Sequence, residues 1–229
     1  MSVLSVAEVA SQLDIDRSRV RQMLRAGVLS GSRVGRDWVV PSEAVASLRE
    51  RPMKAGRPPA PRRSWALLDL LDGGNAEWLD RVARSHVRAH VRSLVGGDAE
   101  AWRNAVRGRE DRVPVAGHRA AVSRLMGHSG VWNAGPGIAR DIGADLVVVN
   151  AVPEVYVPPD EWPDLVRSLH LSAGPSHPDA WVRLPRKIWP FGPDGPGRAA
   201  LAASLLDGEW RAARAGAEVL NELAQSVGQ

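Results

Sequence analysis

The chain has 229 residues, 44% of them hydrophobic, which is enough for one large domain or two small ones with a real core. It contains no cysteine, which excludes disulfides, thiol nucleophiles and cysteine-ligated metal clusters. Because it shows neither an apolar run long enough to span a membrane nor a signal peptide, we expect a cytoplasmic protein with no membrane partner.

The net charge of +4 is unevenly distributed along the chain. Residues 1–63 contain 12 Lys/Arg and 6 Asp/Glu, whereas residues 64–229 contain 18 and 20. A basic N-terminal part indicates binding to a polyanion, although a solvated arginine-rich surface explains the charge alone equally well. The near-neutral remainder does not favour a second nucleic-acid surface.

The first fifty residues predict two short helices followed by two strands. Ser5 is placed as an N-cap with Glu8 three residues later, which is the pattern of a capping box. Asp16 is placed to cap a second helix that we expect to end at Gly27. The glycine-containing stretch "VLSGSRVGRDWVVP" then predicts two short strands that form a wing, and a third helix is expected to start at Pro41.

The second helix carries arginine on one side and apolar residues on the other. Val20, Met23 and Leu24 are expected to face the first helix. The outer side then holds Arg17, Ser18, Arg21, Gln22 and Arg25. This side has the width and chemistry for a DNA major groove, where arginine bridges O6 and N7 of guanine and glutamine pairs with adenine.

The segment "LSVAEVASQLDIDRSRVRQMLRAGVLSGSRVGRDWVVP" resembles the winged helix-turn-helix of the excisionase and MerR superfamily. The resemblance covers about residues 3–50 and implies binding to double-stranded DNA. It assigns base reading to Arg17, Ser18, Arg21 and Gln22. Contacts to phosphate or to the minor groove are expected from Arg25, Arg33, Arg36 and Arg57.

The stretch "RPMKAGRPPAPRR" at 51–63 contains four prolines and five basic residues, which predicts an extended linker. It includes the Gly-Arg-Pro core of an AT-hook around Arg57, although the linker interpretation is the stronger one. We therefore divide the chain into a winged helix-turn-helix domain at 1–50, a linker at 51–63 and a partner-binding or dimerisation domain at 64–229.

The third part predicts a mainly helical domain with a small sheet, so the fold class of the whole chain is α+β. Helical periodicity recurs from "WALLDLLDGG" to the two helices of the tail, which are broken near Asp207 and Gly208. The stretch "DLVVVNAVPEVYVP" is the clearest candidate for a pair of strands.

No combination of residues predicts catalysis. His86 and His90 have a spacing that can bind zinc on a helix, but the neighbouring arginines and the absent glutamate favour a solvated face. "GPGIARDIG" lacks the glycine spacing and the lysine of a nucleotide-binding loop. We therefore expect no catalytic, cofactor-binding or metal-binding residues and no enzyme. Of the nine tryptophans, we expect most to lie in the core and one or two to contact a protein partner.

The order of segments over residues 118–225, including "EVYVPPDEWPDLVRSLHL" and "WVRLPRKIWPF", is similar to that of AbiEi-type antitoxins and related regulators of actinobacteria. This resemblance implies a domain that neutralises a toxin, often a nucleotidyltransferase, in a protein that represses its own operon. The predicted function is a sequence-specific DNA-binding transcriptional regulator that is antitoxin and autorepressor of a toxin–antitoxin pair, with a homodimer as a further expected assembly.

Two alternatives stay open on the sequence. One is an excisionase-like recombination directionality factor, and the other is an enzyme with an unrecognised site that the N-terminal domain anchors to DNA. The adjacent gene distinguishes them, because a nucleotidyltransferase-like neighbour favours the antitoxin and an integrase favours the excisionase.

Overall fold

A computed structural model describes residues 3–13, 16–25, 29, 31–35, 37–42, 44–45 and 59–227. The chain divides into two compact units, Met1–Arg57 and Pro58–Gln229. The first unit has one hydrophobic core, and the second has two neighbouring core clusters. None of the described helices is long and apolar enough to cross a membrane.

The first unit contains three short strands and two helices. In chain order they are β1 (Val3–Ser5), α1 (Val6–Leu13), α2 (Arg17–Arg25), β2 (Ser32–Val34) and β3 (Asp37–Pro41). The strands form an antiparallel sheet in the order β1-β3-β2. The predicted capping box is confirmed, because the Ser5 N–H donates to Glu8 Oε2 at 2.7 Å and the Glu8 N–H donates to Ser5 Oγ at 3.3 Å.

Two details of this unit differ from the sequence prediction. β1 was not expected, since a three-residue strand that leads directly into a helix leaves little alternation to detect. Pro41 ends β3 opposite Val3 instead of starting the third helix, and helical backbone is described at Ser42, Ala44 and Val45. The extended conformation of Pro41 fits the last position of a strand, where its missing N–H breaks no further ladder bond.

The second unit contains seven helices among its described residues. They are α3 (Pro61–Leu71), α4 (Arg81–Leu94), α5 (Ala99–Val106), α6 (Arg119–Met126), α7 (Trp162–Ser168), α8 (Arg198–Leu205) and α9 (Trp210–Val227). The predicted linker was therefore wrong at its C-terminal end, where residues 61–63 form the first turn of α3. Pro61 occupies the first turn, where proline's fixed φ suits a helix and its missing N–H is not needed.

A five-stranded sheet lies within this second unit. Its strands are β4 (Glu110–Ala116), β5 (Trp132–Ala134), β6 (Glu154–Tyr156), β7 (Ser172–Ala173) and β8 (Ala180–Pro185), in the order β5-β6-β8-β4-β7. β6 and β8 pair in parallel, and the other neighbours are antiparallel. The two units together give the expected α+β class.

The strand pair expected in "DLVVVNAVPEVYVP" was wrong in its first half. Glu154–Tyr156 is a strand, but residues 145–149 are irregular, and Val147 and Val149 are 84% and 79% exposed. β6 already has β5 on one side and β8 on the other, so the preceding valines have no place in the sheet. Strong β propensity was overridden by the pairing of distant strands.

Candidate nucleic-acid interface

α2 separates apolar and basic residues on its two sides. Val20, Met23 and Leu24 are buried in the core of the first unit with Val9 of α1 and Val40 of β3. Successive residues of a helix are about 100° apart, so burying this side directs the opposite side to solvent. The core thus fixes which residues of α2 can contact a ligand.

The exposed side of α2 presents Arg17, Ser18 and Arg21. Arg17 and Arg21 are four residues apart and so lie on one face. Among the described residues, neither of them takes part in an ion pair. Two guanidinium groups that no carboxylate of the described residues pairs with are available for O6 and N7 of guanine or for phosphate.

Ser18 differs from the two arginines because its side chain is already engaged. Its hydroxyl donates to the Asp16 carboxylate, two residues earlier. The Asp16 carbonyl accepts the Val20 N–H at 3.2 Å, so Asp16 stands at the start of α2. A Ser18 hydroxyl that keeps this bond can still accept a hydrogen bond from a base, but it cannot donate one.

β2 and β3 form the wing beside α2. Arg33 is exposed on β2 and lies opposite Trp38 of β3, which packs against the core. Gly35 follows β2 with a φ of 63°, a left-handed conformation that glycine adopts without strain. The hairpin therefore pairs Arg33 with β3, which is attached to the core through Trp38.

A close approach fixes the wing against α2. A Cβ atom at Gly31 would lie 2.7 Å from Leu24 Cδ2 and 3.0 Å from the Val39 carbonyl oxygen. A residue with a side chain at this position would require Leu24 to shift within the core.

Several expected contacts lie outside the described residues. These are Arg36 and Arg57, and likewise the side chains of Gln22 and Arg25 and the predicted helix end at Gly27. Their assignments stay predictions.

The histidines of the second unit lie apart from other groups that could hold a metal, within the part of the chain that the structure describes. His86 and His90 are exposed on α4, and His90 faces Ser93 one turn later. Among the residues that the structure describes, no three His, Cys, Asp or Glu side chains are grouped to hold a metal ion.

A buried ion cluster joins the sheet to the turn between α8 and α9, and sequence reasoning missed it. Arg183 of β8 is fully buried, with Nη1 2.7 Å from Asp207 Oδ2 and Nε 2.9 Å from Glu154 Oε1. Its Nη2 donates to the Ser204 carbonyl at 2.7 Å. Arg109 lies beside it, with Nη2 2.8 Å from Glu110 Oε1 and 3.2 Å from Asp207 Oδ2.

The charges of this cluster are engaged with one another. Burial alone would raise the pKa of Asp207, but Arg109 and Arg183 outweigh it and lower that pKa to about 2. Asp207 accordingly stays ionised, and each arginine also donates to a backbone carbonyl of α8. This arrangement fits a structural role in joining β4 and β8 to α8. No sequence pattern indicates it, because the partners of Arg183 lie 21 to 73 residues away.

Comparison with known proteins agrees with the geometry of the first unit. No curated protein and no solved structure matches the chain. AbiEi-type antitoxins are therefore not among the similarities found. Residues 3–52 match the family model described as a helix-turn-helix domain, so the chain carries a helix-turn-helix domain at its N-terminus.

Proposed function

We propose that the protein is a sequence-specific DNA-binding transcriptional regulator. The observation that carries this proposal is the exposed pair Arg17 and Arg21 on α2, the second helix of the matched domain. The second helix of such a domain enters the major groove and contacts base edges with its N-terminal residues. Arg17 is the first residue of α2 and Arg21 lies one turn later, and Arg33 of the wing contacts phosphate or the minor groove.

Selection of duplexes from a random pool by the full chain tests this proposal. The selected duplex should bind far more tightly than random DNA. Arg21→Ala should weaken binding to the selected duplex by about 1–3 kcal/mol and relax the preference at one base pair, because a bidentate arginine–guanine contact is lost. Arg167→Ala, an exposed arginine of α7, is the matched control and should leave binding unchanged. Equal losses on selected and random duplexes for Arg21→Ala would contradict base reading.

The second unit supports a finer proposal, that the regulator is the antitoxin and autorepressor of a toxin–antitoxin pair. Val147 and Val149 are the most exposed large apolar residues of the described chain, and Trp210 of α9 is 67% exposed. Val147 and Trp210 both line a surface cavity of about 400 Å³. Exposed apolar surface of this kind marks binding sites for other proteins, and tryptophan anchors them.

The backbone of residues 147–149 is also available for hydrogen bonds to a partner. Within the described part of the chain, the N–H groups of Val147, Val148 and Val149 donate no hydrogen bond. An exposed segment with valine side chains and unpaired backbone groups can itself add as a strand to the exposed sheet edge of another protein. In this proposal the sheet belongs to the toxin, the second unit acts by binding and not by catalysis, and two copies of the first unit read a pseudo-palindromic operator.

Co-expression with the adjacent gene tests the finer proposal. That gene alone should arrest growth, and the full chain should restore growth and co-purify with its product. Val147→Lys combined with Val149→Lys should abolish rescue and co-purification while leaving DNA binding intact. Val82→Lys, at another exposed valine, is the control. A harmless neighbour that forms no complex would remove the antitoxin role and leave a transcriptional regulator.

A further inference from the structure

α4 carries four arginines on one side and no acidic residue. Arg81, Arg84, Arg88 and Arg92 are spaced by three or four residues, which places them in a single stripe along the helix. From Arg81 to Gly97 the chain contains no aspartate or glutamate. The near-neutral charge of residues 64–229 therefore conceals a local concentration of positive charge.

The stripe faces solvent because the other side of α4 is used by the core. Val87, Val91 and Leu94 are buried against the rest of the second unit. Arg81, Arg88 and Arg92 are exposed, and Arg84 is half-buried. Packing of the apolar side therefore fixes the orientation of α4 and leaves the arginine side next to solvent.

The guanidinium groups of the stripe are largely unengaged. Among the described residues, none of the four forms an ion pair. Arg84 Nη1 donates to the Asn75 carbonyl at 3.3 Å. Asp80 caps the start of α4 by accepting the Ala83 N–H, so one negative charge stands beside Arg81. Arg88 and Arg92 lie farther from Asp80 along the helix.

We propose that Arg81, Arg84, Arg88 and Arg92 form a second nucleic-acid contact surface, which binds the phosphate backbone of duplex DNA without reading its bases. This inference rests on the proposed DNA-binding function. The stripe spans about 16 Å of helix axis, which exceeds the roughly 12 Å width of a major groove and allows contact with phosphates on both sides of it. The planar guanidinium fork also matches the geometry of phosphate oxygens.

The apolar side of α4 argues for nucleic acid and against a lipid surface. A helix that binds a membrane surface inserts its apolar face among the lipids. In α4 that face is already buried in the protein core. The charged side is exposed, with exposed apolar side chains only near the two ends of the helix, at Val82 and Val95, and its row of arginines fits a polyphosphate backbone.

The salt dependence of DNA binding by the full chain tests the inference. Arg88→Gln combined with Arg92→Gln should weaken binding to selected and random duplexes by the same factor. The slope of log K against log salt should fall by about 2, because each lost phosphate contact removes about 0.9 from it. Arg211→Gln combined with Arg214→Gln removes two exposed arginines of α9 and should leave the slope unchanged.

A photo-cross-linking residue at Ser85, which lies within the stripe, gives a second measurement. It should cross-link to the duplex, whereas the same residue at Glu218 of α9 should not. An unchanged slope together with no cross-link at Ser85 would overturn the inference.

A membrane is the alternative ligand. If the full chain bound phosphatidylserine vesicles, and the Arg88/Arg92 variant lost this binding while its DNA binding stayed unchanged, the inference would be overturned in favour of a membrane. Failure of the proposed function would be detected separately from failure of this inference, because the proposed function is tested by the sequence preference of the Arg21→Ala variant.

Discussion

Asp207 holds two buried arginines through one carboxylate. Its Oδ2 lies within 3.2 Å of both Arg109 Nη2 and Arg183 Nη1, while its side chain is still 32% exposed. The carboxylate therefore compensates buried positive charge from the edge of the cluster, where water can also reach it. Removing one partner from a buried ion cluster leaves uncompensated charge behind.

We predict that Asp207→Asn destabilises the second unit in a pH-dependent manner. The folded-state pKa of about 2 lies below the ordinary aspartate pKa of 3.8. The stabilisation is therefore fully present above about pH 4, where it amounts to about 2 kcal/mol, and it is lost as the pH falls towards 2. Urea unfolding of both proteins at pH 7, 4, 3 and 2 measures this.

Asp164→Asn serves as the control for this prediction, because Asp164 is an exposed carboxylate paired with Arg167 on α7. Such a surface pair contributes little to the free energy of unfolding. A difference between wild type and Asp207→Asn that stays the same from pH 7 to pH 2 would show that the carboxylate charge is not the cause.

Among the elements, the wing depends on the close approach at Gly31. We predict that Gly31→Ala loosens the contact between α2 and β3, because its Cβ would meet Leu24 and the Val39 carbonyl at 2.7 and 3.0 Å. Overpacking of this kind costs typically about 1–3 kcal/mol. Hydrogen exchange of the Val20 amide, which donates to the Asp16 carbonyl, reports the stability of α2 within the full chain.

Ser32→Ala is the control for the wing, since Ser32 is exposed on β2 beside Gly31. Exchange at Val20 should accelerate in Gly31→Ala and stay at the wild-type rate in Ser32→Ala. Equal exchange rates in all three proteins would mean that Leu24 moves aside without loss of packing.

Local patterns predicted most elements, because helices are encoded by neighbouring residues. The capping box of Ser5 and Glu8 and the buried side of α2 were readable from spacing alone. The pairing of β6 with β5 and β8 was not, since it depends on strands about 20 to 30 residues away. The basic side of α2 was predicted as a site, whereas the cluster around Arg183 required tertiary contacts.

At the scale of the whole molecule, each unit has a core of its own. We predict that Leu220→Ala, at a fully buried position of α9, lowers the stability of the second unit by about 2–5 kcal/mol. Binding to the selected duplex through the first unit should keep its sequence preference. Calorimetry and DNA binding on the same protein measure the two effects.

The control for this prediction is Leu201→Ala on α8, which is only partly buried and should be milder. Loss of sequence preference in Leu220→Ala under conditions where the first unit stays folded would show that the two cores are coupled.

The position of β8 in the middle of the sheet has a consequence for protein synthesis. β4 pairs with β8 through Val113 and Val182, so its principal partner leaves the ribosome about 70 residues later. At about 5–20 residues per second, β4 and β6 wait several seconds for the strand between them. In the first unit the most distant strand pairing, Val3 with Pro41, lies within the first 41 residues, and the nascent chain can therefore complete this unit while the rest is still being translated.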